Sequence, residues 1–369
     1  MSDETIHQGL DGVIVDTTAI SKVMPEINSL VYRGYPVQEL AEHCSFEEVA
    51  WLIWHGELPN AKQLAEFQNF GRSLRALSPE LIAVIQKSPR TAHPMDVVRT
   101  AVSFLGSEDP DLSKSDPETK LRRSINLLAK IPTIIAAFYR HRRGQEFIPP
   151  RNDLGFAANF FHMVFGNVPP AEILKAFEVS LILYAEHGFN ASTFTARVIV
   201  SSMADIYSGV VGGIASLKGP LHGGANEAVM HMLLEVGEPS RAMEWMLTAL
   251  RDHRVVMGFG HRVYKNGDSR VPTMKKYARA MADFTGQAKW LDIADILEAT
   301  MIEQKGIYPN LDFPSGPAYY MMGIDIDMYT PIFVMARITG WTAHIMEQLA
   351  NNTLIRPLSN YTGPAQRSV

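Results

Sequence analysis

Hydrophobic positions along most of the chain recur with the spacing of amphipathic α-helices. Ser45 and Glu48 form a capping-box pattern, and apolar side chains follow at 49, 52 and 53 in the i, i+3, i+4 order of a helix face. Pro79 and Pro94 open two further helices, because proline is well tolerated at the first helical position. Helical spacing continues in the ranges 121–140, 171–184, 241–251 and 275–284. The pattern predicts an all-α protein.

Two short runs near the start of the chain have a different, β-prone pattern of β-branched and aromatic residues. They cover 12–15 and 30–35 and are separated by a polar, proline-containing link. We therefore expect a small extended N-terminal segment ahead of the helical body. Glycines cluster between 209 and 224, and we expect this segment to be a hinge between two bodies.

Composition narrows the class of protein. The 369 residues predict about two domains, and 34 Lys+Arg against 39 Asp+Glu give a net charge of −5, which disfavours a nucleic-acid partner. Cys44 is the single cysteine and cannot form an internal disulfide. The apolar stretch 206–217 is shorter than the roughly 18 residues that a membrane span needs. The first nine residues contain no apolar segment typical of a signal peptide, so we expect no membrane association and a cytoplasmic location.

Common motifs of nucleotide and hydrolase sites are missing from the sequence. There is no GxxxxGK[ST] phosphate loop, no HExxH zinc motif and no GxSxG nucleophile elbow. The run 258–263 begins as a dinucleotide fingerprint but lacks the third glycine.

Three of the twelve histidines lie in glycine-flanked breaks of the helical pattern. They are His187, His222 and His261, and glycine at such places lets the backbone approach a ligand closely. The other nine histidines lie in helical, capping or terminal contexts typical of structural roles. The three breaks are therefore candidate site segments.

One aspartate and three arginines join this set. Asp312 lies between Pro309 and Pro314, which predicts a rigid loop. Arg270, Arg337 and Arg356 are the candidate anion ligands, the last two because they stand among apolar residues, where a guanidinium needs a bidentate anion partner. A structural salt bridge is the alternative role for Arg337 and Arg356.

These residues belong to segments that resemble the citrate synthase family over essentially the whole chain. Within that family the chain is most similar to the short bacterial branch that includes 2-methylcitrate synthases with a second, citrate-forming activity. Four long segments carry the resemblance, in the family's order: 186–197 (EHGFNASTFTAR), 219–226 (GPLHGGAN), 258–264 (GFGHRVY) and 309–312 (PNLD).

The resemblance implies a nearly all-α, two-domain homodimer that joins an acyl-CoA to oxaloacetate. It makes Asp312 the base, His222 the donor to the thioester oxygen and His261 the donor to the oxaloacetate carbonyl. It makes the remaining four residues oxaloacetate ligands: His187, Arg270, Arg337 and, from the partner subunit, Arg356. No metal or redox cofactor is implied, because coenzyme A enters as part of a substrate.

The resemblance also implies the domain division and the coenzyme A site. A large domain would comprise 1–221 and 326–369, and a small domain 222–325. The expected coenzyme A residues are Val256, Met257, Gly258, Phe259, Gly260, Lys265 and Lys305.

Three alternatives stay open at this point. A dedicated citrate synthase would prefer acetyl-CoA, which differs from propionyl-CoA by one methylene, worth only about 1–3 kcal/mol in a pocket. The three histidines and Asp312 could instead ligate a metal in a hydrolase. The chain could also be a helical binding protein without turnover.

Overall fold

The computed structural model describes residues 6–264 and 266–369, and most of this length is helical. Within it sixteen α-helices follow a short sheet, which confirms the predicted fold class. In chain order they are α1 (Val37–His43), α2 (Phe46–His55), α3 (Ala61–Ser73), α4 (Pro79–Lys87), α5 (Pro94–Ser107), α6 (Pro117–Arg142), α7 (Phe156–Phe165), α8 (Ala171–Tyr184), α9 (Ala191–Ser201), α10 (Ile206–Leu217), α11 (Ala225–Val236), α12 (Pro239–Arg251), α13 (Val271–Thr285), α14 (Lys289–Lys305), α15 (Asp312–Met321) and α16 (Tyr329–Ala350). No helix in these two ranges is long and apolar enough to cross a membrane.

The sheet has three antiparallel strands, β1 (Ser21–Met24), β2 (Ser29–Tyr32) and β3 (Tyr35–Pro36). β2 and β3 confirm the extended prediction for 30–35, and they meet in a two-residue hairpin. Its central residues Arg33 and Gly34 both have positive φ, 50° and 90°, as a type I′ turn requires.

The β-prone run at 12–15 does not become a strand. Ile14 within it is 92% exposed. β-branched composition alone does not make a strand, because a strand also needs a partner, and β1 takes the free edge of β2 nine residues later.

The helix starts follow the predicted capping chemistry. Ser45 accepts a hydrogen bond from the Glu48 amide while the Glu48 carboxylate accepts from the Ser45 amide, so both halves of the capping box are present at α2. Pro79 and Pro94 are the first residues of α4 and α5. The capping box pairs amides that would otherwise lack partners, and a proline at the first position has no amide hydrogen to pair. Both features favour a helix start at these positions.

The core is organised around α16. This helix is buried along nearly its whole length and packs against α2, α5, α6, α8, α9 and α10. A helix buried on all sides must be apolar on all sides, and the exceptions are therefore informative. Arg337 is one of these exceptions, with 1% of its surface exposed.

The glycines of α10 allow close helix packing, and the hinge prediction for 209–224 stays a prediction. A Cβ at Gly209 would lie 2.7 Å from a methyl group of Val200 on α9, and one at Gly213 would lie 3.0 Å from the ring of Trp341 on α16. These glycines lie inside a continuous helix, where they let α9 and α16 approach its backbone.

Helices α11 to α15 pack against one another, and several of them also contact the remaining helices. α13 packs against α8, and α11 packs against α16. The predicted boundaries at 222 and 325 stay a prediction. Residues from both predicted domains line one cavity.

Candidate active site

A cavity of about 860 Å³ lies beside the C-terminal end of α8, the start of α15 and the middle of α16. Loops that precede α9, α11 and α13 contribute further parts of its wall. Six of the seven catalytic and oxaloacetate-binding residues expected from the sequence line it: His187, His222, His261, Arg270, Asp312 and Arg337. The fold thus brings residues up to 150 positions apart to one place.

Asp312 is the first residue of α15, and the prediction of a rigid loop is wrong. Pro314 lies in the first turn of this helix. The amides of a first turn have no partner inside the helix, so a proline there costs no helical hydrogen bond. The Asn310 side chain accepts a hydrogen bond from the Asp312 amide at 3.1 Å and holds the helix start. Burial raises the pKa of Asp312 to about 6, against the opposing effect of a hydrogen bond from Tyr184. A carboxyl of this pKa suits proton abstraction near neutral pH.

His222 is held as a neutral ring with its proton on Nδ1. The backbone amide of Ser192 donates to Nε2 at 3.3 Å, which requires a lone pair on that nitrogen. The Ser192 hydroxyl lies 2.8 Å from Nε2 and accepts a hydrogen bond from Trp341 Nε1. Burial lowers the pKa of His222 to about 3, with the Arg337 charge acting in the same direction. Nδ1 is therefore a hydrogen-bond donor that stays neutral at physiological pH.

His261 is held in the opposite tautomer. Its Nδ1 accepts hydrogen bonds from the backbone amides of Val263 and Tyr264 at 3.0 and 3.2 Å. The proton therefore belongs on Nε2. The ring packs against Tyr264, with centroids 4.9 Å apart, which restricts its rotation.

His187 follows directly after a buried polar network. Oε1 of Glu186 accepts from the Ser21 hydroxyl and from His344 Nε2, both at 2.8 Å, so the short N-terminal sheet is tied to this loop. Nε2 of His187 is buried and has no hydrogen-bond partner within 6–264 and 266–369. Burial, together with the Arg270 charge, lowers the pKa of His187 well below its usual value. A buried, unpaired ring nitrogen in a cavity wall is a place for a ligand oxygen.

The C-terminal end of α8 holds the two buried arginines that line the cavity. Arg337 Nε donates to the carbonyl of Tyr184 at 2.7 Å, and Arg270 Nη1 donates to the carbonyl of Leu183 at 3.4 Å. The Tyr32 hydroxyl donates to the carbonyl of Ile182, one residue before Leu183, at 3.0 Å. The last carbonyls of a helix lack partners inside it and carry partial negative charge, so they attract guanidinium groups. This helix end therefore positions two cations at the cavity.

Arg270 has an ion-pair partner, whereas Arg337 has none within 6–264 and 266–369. Asp268 accepts from Arg270 Nε at 3.0 Å and from Nη2 at 2.7 Å, and the pair is almost completely buried. For Arg337, burial lowers the pKa to about 10, and the charge of Glu186 only partly opposes this. Its Nη1 is buried without a hydrogen-bond partner in the described part of the chain. An anionic ligand would satisfy this group.

Arg356 lies outside the cavity in this single chain. It is exposed in the extended segment that follows α16. Its predicted role as an oxaloacetate ligand from the partner subunit stays a prediction.

The predicted coenzyme A segment is only partly at the cavity. Gly260 lines it, while Val256, Met257, Gly258 and Phe259 do not. Backbone pairing brings this segment beside the base, because the Gly260 amide donates to Tyr308 O and the Asn310 amide donates to Gly258 O. Both Gly258 and Gly260 have positive φ, which this loop conformation requires.

The structure describes only one of the two predicted lysine ligands. Lys305 is exposed at the end of α14, away from the residues that line the cavity. Lys265 lies outside the described residues. Both assignments stay predictions.

The N-terminal segment contributes an apolar wall that sequence reasoning missed. Leu10, Val13 and Val15 line the cavity, each roughly two-fifths exposed. Arg262, next to a predicted catalytic histidine, donates from Nη1 to the Gly9 carbonyl at 3.1 Å. The β-prone run at 12–15 thus contains residues that face the site.

Sequence reasoning also missed Asp268, Tyr184 and Ser192. Asp268 stands two residues before Arg270 in a Gly-Asp-Ser turn, and that spacing could have suggested a local ion pair. Tyr184 and Ser192 gave no signal of their own, because their partners are 128 and 30 residues away.

The arrangement combines one carboxylate, two imidazole donors of fixed tautomer and two guanidinium groups. Such a set can remove a proton from a carbon acid, stabilise the resulting enolate oxygen, polarise a second carbonyl and hold a carboxylate substrate. Among the described residues no group of three or more His, Cys, Asp or Glu side chains is arranged to hold a metal ion.

Comparisons with known proteins point to the same family. The family model "Citrate synthase, C-terminal domain" matches residues 9–358. The chain is 56% identical to a 2-methylcitrate synthase of Mycobacterium tuberculosis H37Rv, over 98% of this chain and 92% of the relative. It is 57% identical to a citrate synthase of Mycolicibacterium smegmatis, over 99% and 97%. A Thermoplasma acidophilum citrate synthase solved with carboxymethyl coenzyme A and oxaloacetate superposes with a TM-score of 0.95, at 31% identity over 99% and 98%. The chain belongs to the citrate synthase family.

Proposed function

We propose that the chain is an acyltransferase that condenses propionyl-CoA with oxaloacetate and water to 2-methylcitrate and CoA, and acetyl-CoA to citrate. The observation that carries this proposal is the shared cavity, where a carboxylate base lies with two tautomer-fixed imidazoles and two arginines. The proposal agrees with the activities named for the relatives from Mycobacterium tuberculosis and Mycolicibacterium smegmatis.

The first half of the reaction makes a carbon nucleophile. Asp312 takes the α-proton of the acyl-CoA, and the electron pair of that C–H bond forms the enolate. Nδ1–H of His222 donates to the thioester oxygen as negative charge develops there. A donor held in place suits this task, because it stabilises the negative charge where that charge develops in the transition state.

The second half joins this nucleophile to the carbonyl carbon of oxaloacetate. His187, Arg270 and Arg337 bind the oxaloacetate carboxylates, and Nε2–H of His261 donates to its carbonyl oxygen. That oxygen becomes the alkoxide as the carbon–carbon bond forms. Water then hydrolyses the thioester and releases CoA.

The proposal includes a homodimer with a shared site. Arg356 is exposed here and absent from the cavity wall, which agrees with its contributing to a second subunit. A cytoplasmic location and a reaction without metal or redox cofactor also belong to the proposal.

The first experiment measures CoA release at saturating oxaloacetate and compares kcat/KM for propionyl-CoA and acetyl-CoA. A larger value for propionyl-CoA supports 2-methylcitrate synthesis as the main activity. A strong preference for acetyl-CoA supports a dedicated citrate synthase. No release with either substrate contradicts the proposal.

The Asp312→Asn variant tests the assigned base. We expect kcat to fall by about 10²- to 10⁴-fold, the usual effect of losing a general base, with oxaloacetate binding retained. Near-normal turnover would contradict the assignment.

A further inference from the structure

Tyr184 contacts the base directly from the end of α8. Its hydroxyl donates to Oδ1 of Asp312 at 2.7 Å. The side chain is 1% exposed, and its ring lies against Phe333 with centroids 4.2 Å apart. Burial, with the Asp312 charge acting in the same direction, raises the pKa of Tyr184 well above its usual value. The hydroxyl is therefore a permanent donor in a fixed position.

This hydrogen bond distinguishes the two oxygens of the carboxylate. Oδ1 is occupied by the Tyr184 hydroxyl. Oδ2 has no hydrogen-bond partner in the residues that the structure describes, and Asp312 lines the cavity. Oδ2 is thus the oxygen left to accept a proton from a bound substrate.

We propose that Tyr184 is a positioning residue for the base, holding the Asp312 carboxylate so that Oδ2 meets the α-carbon of the acyl-CoA. The inference rests on the proposed condensation. In the proton-transfer step Oδ2 takes the α-proton and the C–H electron pair stays on carbon as the enolate. Tyr184 keeps its own proton throughout, and its hydrogen bond stabilises the carboxylate before transfer.

Other groups near Asp312 also affect the pKa of its carboxyl. Arg270 at the start of α13 and Arg337 on α16 favour the charged carboxylate, while Asp268 in the loop before α13 disfavours it. Tyr319, on α15 itself, faces the same carboxylate without a hydrogen bond to it. Removing the Tyr184 hydroxyl leaves all of these groups in place, so its effect can be measured separately.

The test is the pH dependence of kcat/KM for the acyl-CoA at saturating oxaloacetate, in wild type and Tyr184→Phe. The variant loses the hydrogen bond from Tyr184 to the charged form of Asp312, so the Asp312 carboxyl becomes harder to ionise. We expect the acid limb to move upward by about 1 pH unit, which lowers the rate about tenfold below the limb.

Tyr319→Phe is the matched control. Tyr319 is also a fully buried tyrosine, but its hydroxyl donates to Ser180 at 2.9 Å. Its removal should leave the acid limb within about 0.3 pH unit of wild type, because no bond to the base is lost. Equal shifts in the two variants would overturn the proposal, since they would reflect a general effect of deleting a buried hydroxyl.

A second variant covers the case in which Tyr184→Phe fails to fold, recognised by the loss of oxaloacetate-induced thermal stabilisation. Tyr184→3-fluorotyrosine keeps the shape and makes the phenol a stronger donor, so the acid limb should move downward. An unmoved limb in a variant that folds overturns the positioning role alone. Failure of the wild type to release CoA from either acyl-CoA overturns the proposed function instead.

Discussion

Replacing Asp268 with asparagine is expected to lower the free energy of unfolding by about 3–5 kcal/mol. The carboxylate accepts four hydrogen bonds: three from Arg270, through its amide, Nε and Nη2, and one from the Leu311 amide. Asparagine keeps one acceptor oxygen and turns an NH₂ group toward Nη2 and the Leu311 amide. Two donors are then left unpaired in a buried site, and the Arg270 charge loses its counterion.

The assay is urea unfolding of wild type and Asp268→Asn at pH 7 and one protein concentration, because the stability of the proposed dimer would depend on concentration. Asp295→Asn is the matched control. The Asp295–Arg279 pair has the same 2.7 Å separation but is about half exposed, so its loss should change stability by less than about 1 kcal/mol. The contrast isolates the effect of burial.

A double-mutant cycle extends this test. Arg270→Met removes the buried charge. The double variant should therefore lose far less free energy of unfolding than the sum of the two single losses, with a coupling of about 2 kcal/mol or more. Additive losses, or a loss below about 1 kcal/mol for Asp268→Asn, would refute the reasoning.

The pH dependence of this stability has a definite sign. Burial opposes ionisation of Asp268, but the Arg270 guanidinium outweighs it and holds the pKa below its usual value. The carboxylate therefore contributes its full stabilisation above the unfolded-state pKa of about 3.9, and the contribution is lost as pH falls through the lower folded-state pKa. The gap between wild type and Asp268→Asn should be constant near neutrality and shrink in acid.

Three further predictions concern the site. Ser192→Ala should lower kcat by about 5- to 10-fold with oxaloacetate affinity unchanged, because one hydrogen bond that orients His222 is lost; an unchanged kcat would contradict this. In the wild type, kcat/KM for the acyl-CoA should fall tenfold per pH unit below about pH 6, because protonated Asp312 cannot act as a base, and a profile that stays flat to pH 5 would contradict the assignment. Oxaloacetate at 100 times its Kd should add about 2.7 kcal/mol to stability, and Arg337→Gln should remove most of that gain at the same concentration; an equal thermal shift in both would show that the arginine does not bind it.

Local signals in the sequence predicted much of the helical framework. Caps and first-turn prolines act over three or four residues, so Ser45, Pro79 and Pro94 could be interpreted without knowing the fold. The glycine-flanked histidines could also be found this way. Six of the seven catalytic and oxaloacetate-binding residues derived from the motifs share one cavity.

Features that depend on distant partners could not be predicted from local pattern. The β-prone run at 12–15 forms no strand, because pairing depends on which segment reaches β2. The close packing that the glycines of α10 allow depends on Val200 and Trp341 on two other helices. The donor to Asp312 comes from a tyrosine 128 residues away.

The end of α8 has a consequence for how the chain tolerates insertions and deletions. One residue added to a helix turns everything beyond it by about 100° and advances it by about 1.5 Å. Because consecutive carbonyls there hold Arg270 and Arg337, and the Tyr184 side chain holds Asp312, a single insertion within α8 would misalign base and anion ligands together. The length of α8 is therefore expected to be as restricted as the identity of any site residue, while the loops that lead into it remain free to vary.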